Sequence, residues 1–182
     1  MNSYVALLRG INVSGQKIIK MENLRNAMES RGFQDVKTYI QSGNIVFKSD
    51  KPKNTLQFEI ADLIVKEYGF EVSVFVLDRE EMYFAVENNP FSQAAEPEPA
   101  GVKKLYITFL EGTPEPANFE KLINGPIGED KVDLKGNVLY FLLKNSAADS
   151  KLSNNYIESK LKLKATTRNW NTTLKLLEMM KA

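Results

Sequence analysis

The sequence predicts an α+β protein made of two ferredoxin-like halves, each trailed by an extra helix. Three observations carry that prediction. Apolar residues switch between the two-residue repeat of strands and the 3.6-residue repeat of helices in the order β-α-β-β-α-β-α. The same order then occurs a second time. Between the copies lies a stretch with Pro90, Pro97 and Pro99 and no periodic pattern, which reads as a connector. A β-α-β-β-α-β unit is the split βαβ arrangement, and meeting it twice says more than any one element does. The predicted division is residues 1–89, a connector at 90–101, and residues 102–182.

In the first half, residues 4–9 form a short apolar run that ends at Gly10, the pattern of a buried strand. Met21, Leu24, Ala27 and Met28 recur at helical spacing, and Gly32 supplies the stop. Residues 36–40 and 45–47 have strand composition on either side of Gln41, Ser42, Gly43 and Asn44, which predicts a hairpin. Leu56, Ile60, Leu63 and Ile64 mark one helix face that stops near Gly69. Val72, Val74 and Val76 alternate as a strand, and a helix follows over 79–88.

The second half opens with a strand over 102–110, with Leu105, Ile107 and Phe109 on one face. Phe119, Leu122 and Ile123 mark a short helix that Gly125 and Pro126 end. Residues 131–134 and 138–143 flank Lys135, Gly136 and Asn137 as a second hairpin. Leu152, Tyr156, Ile157 and Leu161 make a helical stripe. Residues 163–167 form a closing strand and 172–181 a terminal helix carrying Leu174, Leu177 and Met180.

Composition narrows the chemistry. Of the 182 residues, 43% are apolar and 26% charged, which suits a core-forming globular chain. A chain of that length buries roughly 70% of its unfolded surface and needs no metal or disulfide staple. It contains neither histidine nor cysteine, which removes thiol nucleophiles, histidine-dependent triads and zinc sites built on either residue. The start lacks the basic region and apolar core of a signal peptide. No apolar run approaches the ~20 residues that span a bilayer, so a cytoplasmic location is expected. The net charge of +1 is unevenly spread: residues 1–50 carry +3, 51–101 −6, 102–150 −1 and 151–182 +5.

In a ferredoxin-like sheet the first strand lies antiparallel beside the third. The end of the first strand and the turn of the first hairpin then share one edge, bringing together Arg9, Gly10, Asn12, Gln41, Ser42, Gly43 and Asn44. The segment from Gly10 to Lys17 is not a Walker loop: Gln16 separates Gly15 from Lys17, and Ile18 stands where Ser or Thr is required. A glycine-containing turn beside an arginine can still hold an anion through its amides and the guanidinium fork. A second polar constellation, Arg168, Asn169 and Trp170, stands at the start of the last helix, where Asn169 or Asn171 is a candidate N-cap. The third strand lacks the basic residue and spaced aromatics of an RNA-recognition sheet, which argues against nucleic acid. Glu80 with Glu81, and Glu129 with Asp130, read as exposed acidic surface rather than cation ligands.

Three segments, residues 7–13 (LLRGINV), 39–44 (YIQSGN) and 167–172 (TRNWNT), together resemble a bacterial family of uncharacterised cytoplasmic proteins, domain of unknown function 1697. Ser14 stands where that family usually has glycine. The resemblance implies a duplicated α+β fold and brings no substrate, cofactor or catalytic residue. Its signature segments coincide with the polar loops singled out above. The resulting expectation is a cleft for a small anionic ligand lined by Arg9, Asn12, Ser42, Asn44, Arg168, Asn169 and Trp170. The alternatives are a protein-interaction module or dimer that uses a sheet face and, ranked below it, nucleic-acid binding across the two basic ends. Whether the protein is an enzyme, and its oligomeric state, stay open at this point.

Overall fold

The computed structural model describes residues 1–93 and 103–181. The elements are β1 (Asn2–Leu8), α1 (Met21–Ser30), β2 (Gln34–Tyr39), β3 (Asn44–Ser49), α2 (Lys53–Tyr68), β4 (Val74–Asp78) and α3 (Arg79–Glu87), followed by β5 (Leu105–Leu110), α4 (Pro116–Ile123), β6 (Lys131–Lys135), β7 (Val138–Leu142), α5 (Asn154–Leu161), β8 (Ala165–Asn169) and α6 (Trp170–Met179). Both halves thus have the predicted element order. The expected connector falls largely outside the described residues; its opening stretch, 90–93, is a turn.

The strands form two four-stranded antiparallel sheets, ordered β2-β3-β1-β4 and β6-β7-β5-β8. Alternation decides the layers. In the first sheet Tyr4, Ala6, Leu8, Ile45, Phe47, Val74 and Val76 face one way and join Leu24 and Met28 of α1 and Leu56, Ile60, Leu63 and Ile64 of α2 in one core. Each Val, Leu, Ile, Phe or Met side chain among them contributes roughly 1.5–3 kcal/mol on full burial. The intervening Val5, Leu7, Val46, Phe75 and Leu77 face the other way and are buried too, which is why these strands read as unbroken apolar runs. In the second sheet Leu110, Leu139, Phe141 and Ala165 pack with Leu122 of α4 and Ile157 and Leu161 of α5.

Local chemistry sets the element ends. α2 stops at Gly69, whose φ of 76° is left-handed and whose N–H donates to the Val65 carbonyl. α4 starts with Pro116 in its first turn, where a missing N–H costs nothing. The Ser153 hydroxyl caps α5 by accepting from the Tyr156 amide. β6 and β7 meet through Gly136 and Asn137 alone, and Gly136 supplies the positive φ of 60° that a two-residue hairpin loop needs. The edge strand β2 is interrupted by a bulge at Asp35, whose carboxylate pairs with Lys48 at 2.8 Å, a feature that blunts edge-to-edge association.

The repeat extends to individual residues. Tyr4 stacks on its cross-strand partner Phe47 with ring centroids 5.8 Å apart, and Tyr106 stacks on Phe141 at 5.1 Å. Asp78, the last residue of β4, accepts from the Glu81 amide; Asn169, the last of β8, accepts from the Thr172 amide. Compactness divides the chain into Met1–Tyr83 with Leu174–Ala182, and Phe84–Thr173. Among the described residues no helix is long and apolar enough to cross a membrane.

Candidate functional site

In the first unit the sheet rim forms where β1 ends. The Leu8 N–H donates to the Gly43 carbonyl at 2.8 Å and the Arg9 N–H to the Ser73 carbonyl at 3.0 Å, so three connections meet there. Asn12 ties them together. Its Nδ2 donates to the carbonyls of Gln41 (2.7 Å) and Ile19 (3.0 Å), while its Oδ1 accepts from the Ile19 amide (2.8 Å). The side chain is therefore committed to bracing two loops that are 29 residues apart in sequence. Asn44, at the start of β3, braces its own turn in a similar way: fully buried, it donates to the Tyr39 carbonyl and to the Ser42 hydroxyl, at 3.1 and 2.9 Å. Arg9 is half-buried and Ser42 exposed on this rim.

The segment expected to be a glycine-rich turn is a miniature hairpin. Val13 bridges Gln16, the Gln16 N–H donates to the Val13 carbonyl (2.9 Å), and the Asn12 N–H donates to the Lys17 carbonyl (3.2 Å). Ser14 and Gly15, at φ 51° and 72°, have the paired positive φ of a type I′ turn. Position 14 is thus left-handed although it carries serine. The Lys17 ammonium donates to the Glu71 carbonyl at 2.8 Å and fixes the hairpin against the loop before β4.

Backbone strain concentrates at this rim. Of the six described non-glycine residues with positive φ, four (Asn12, Ser14, Lys17 and Ile40) lie in these two loops. Ile40 at 51° is the most telling, because a β-branched residue is poorly accommodated there. Large apolar side chains also stand exposed on the same loops: Val13 at 58%, Ile18 at 56% and Ile40 at 48%. Sequence reasoning selected Arg9, Asn12, Ser42 and Asn44 but passed over Lys17, Ile18 and Ile40. The Ser14-Gly15 pair was the available signal for the small hairpin.

The internal repeat supplies a comparison. The second unit closes its own rim the same way, with Leu110 N–H to the Asn137 carbonyl and Glu111 N–H to the Lys164 carbonyl. Glu111 occupies the place of Arg9, and its carboxylate accepts from the Lys164 amide. Five residues join β5 to α4, against twelve between β1 and α1. The first rim is therefore the elaborated one, and it carries arginine at the position where the second carries glutamate.

Arg168, Asn169 and Trp170 belong to the second unit, at the end of β8 away from that unit's rim. The strand begins and ends two residues later than expected, so Arg168 lies within it rather than in a loop. Pairing with β5 as far as Tyr106 opposite Asn169 compensates for a polar sequence of low strand propensity. Arg168 is buried and donates through Nη1 to the Thr166 hydroxyl and the Thr167 carbonyl, both at 2.8 Å. Burial pulls its pKa down to about 10, which leaves it charged at neutral pH. Asn169 caps α6 through the Thr172 amide at 2.9 Å, and the half-buried Trp170 is the first residue of that helix.

The acidic pairs have local work. The Glu81 carboxylate accepts from the Asp78 N–H, closing a capping box on α3, and Lys53 bridges both carboxylates. Asp130 accepts from the Lys144 amide and the Ser150 hydroxyl. Among the described residues no three carboxylates gather as metal ligands.

The fold defines the class, a duplicated ferredoxin-like α+β protein, and in this chain the first copy carries the larger loop edge. Residues 1–140 match a family described as "Protein of unknown function (DUF1697)", and the chain belongs to it. Among solved structures it is similar to the conserved bacterial protein SP0830 from Streptococcus pneumoniae, at 23% identity and a TM-score of 0.71, over 98% of each chain. That likeness is one of fold. No curated protein matches the sequence.

Proposed function

We propose that the rim of the first unit binds a small anionic ligand in the cytoplasm. Arg9 supplies the charge through its guanidinium fork. The Ser42 hydroxyl orients the ligand, Asn12 holds the two loops at fixed separation, and Asn44 braces the turn that carries Ser42. Arg168, Asn169 and Trp170 enter as a second polar set, with Asn169 setting the helix start and Arg168 bracing the strand before it. The observation that carries the reading is the concentration of four left-handed non-glycine residues on the elaborated rim, next to an arginine. Each such residue costs on the order of 1–3 kcal/mol and persists where the surroundings over-determine it, as they do at binding sites. The second unit's rim, shorter and with Glu111 in place of the arginine, lacks this combination.

Thermal-shift screening with phosphates, nucleotides and carboxylic acids tests the proposal. A binding anion is expected to raise the melting temperature by several degrees well above its Kd, a rise that Arg9→Ala abolishes and Glu111→Ala retains. Arg168→Ala reports whether the second polar set takes part in binding. If no anion stabilises the wild type more than Arg9→Ala, the reading fails. A second reading, a protein-contact surface, draws on the exposed Val13, Ile18 and Ile40. It takes precedence if anions have no effect while sedimentation shows self-association that Ile18→Asp removes.

A further inference from the structure

The trailing helices do not stay with the halves they follow. The first compact unit ends at Tyr83 and resumes at Leu174; the second runs from Phe84 to Thr173. α3 therefore starts in the first unit and finishes in the second, and α6 does the reverse. Within the second unit, the buried Tyr140 of β7 donates its hydroxyl at 2.8 Å to the carbonyl of Ala85, in the later turns of α3. Within the first unit, Leu176, Leu177 and Met180 are buried.

We infer that the two halves complete one another by reciprocal exchange of helix ends, so that neither is a separable domain. Residues 174–181 are the piece of the first unit supplied from the far end of the chain, and residues 84–89 the piece of the second supplied from the near half. Taking residues 174–181 away from the first unit removes the buried Leu176, Leu177 and Met180 from it, a loss a unit of this size does not absorb without a large fall in stability. Each half is therefore the other's binding partner, and the recognised chemistry is the apolar stripe of a closing helix.

The test is fragment complementation in the full protein. A protease site is placed between residues 94 and 101 and cut in the native state. The cut protein is expected to elute as one species holding both fragments in equal amounts and to melt in one transition. Separated in denaturant and refolded alone, each fragment is expected to show no cooperative melt; refolded together they recover the melt of the cut protein. Insolubility of a lone fragment that disappears on joint refolding counts the same way. A fragment that melts cooperatively as a soluble monomer, or cut halves that separate without denaturant, overturns the inference. In the uncut chain, removing residues 174–182 is expected to lower the melting temperature by about 10 °C or more. A truncated chain that melts within about 3 °C of the wild type also overturns it.

Discussion

Gly43 and Gly10 show how one residue type serves two purposes on a single rim. Both are left-handed, with φ of 81° and 69°. A Cβ on Gly10 would meet nothing within 4 Å, whereas one on Gly43 would sit 2.7 Å from the Leu8 Cβ and 3.0 Å from the Ile11 Cδ1. At Gly10 the backbone conformation is the whole demand; at Gly43 the close approach of two strands is added to it. Gly10→Ala is expected to cost about 1 kcal/mol, the left-handed penalty less the entropy regained from the unfolded chain. Gly43→Ala is expected to cost about 2–4 kcal/mol, because the Leu8 Cβ is anchored to its own backbone and cannot swing aside. Urea denaturation separates the two cases. Equal midpoints for the variants would show that steric crowding at position 43 is relieved elsewhere.

Helix starts show the repeat at the scale of elements. β4 passes into α3 through Asp78, and β8 into α6 through Asn169; each side-chain oxygen accepts the amide three residues on. Chemically different residues thus meet one requirement, an acceptor for an orphan N–H at the first turn. Asp78→Ala and Asn169→Ala are each expected to lower stability by about 1 kcal/mol. Asp78→Asn should be nearly neutral, and chemical denaturation of the three variants checks this ranking. The cap was legible in the sequence as one of two candidates, Asn169 or Asn171, because asparagine is favoured before a helix, and the structure selects Asn169. The extent of β8 was not: Thr166, Thr167 and Arg168 carry no alternating apolar pattern, and the neighbouring β5 alone extends the ladder through them.

At the scale of the whole molecule, comparing wild type with one variant at alkaline pH isolates a single buried contact, because titrations common to both cancel. Burial pushes the Tyr140 hydroxyl well above its ordinary value of 10.0, with the charge of Asp133 adding to the effect. The folded chain therefore keeps a proton that the unfolded chain gives up above about pH 10. By linkage this contribution is complete below that pH and declines as pH rises beyond it, by up to about 1.4 kcal/mol per unit. Tyr140→Phe removes the donor to the Ala85 carbonyl and is expected to cost about 1–2 kcal/mol at pH 7. The gap between variant and wild type should then close as pH is raised from 10 to 11, because the phenylalanine form has no proton to lose. Urea unfolding of both proteins at pH 7, 10 and 11 gives the comparison, and a gap that stays constant would mean the phenol is not titrating differently in the two states.

By itself the sequence determined the order of elements and the core faces. Alternation and helical spacing are local patterns, and burial of apolar area rewards them wherever they occur. It also placed the polar loops at Arg9, Asn12, Ser42 and Asn44 on one edge, since the strand order of a split βαβ unit leaves little freedom there. Tertiary structure decided what those residues do. Only the fold shows that Asn12 spends its amide on Ile19 and Gln41, and that Ile40 is held left-handed against its own preference. The same holds for the closing turns of α3 and α6, which fall in the unit opposite to the one in which each helix begins. Such outcomes depend on groups distant in sequence meeting in space, and no window of neighbouring residues records that meeting.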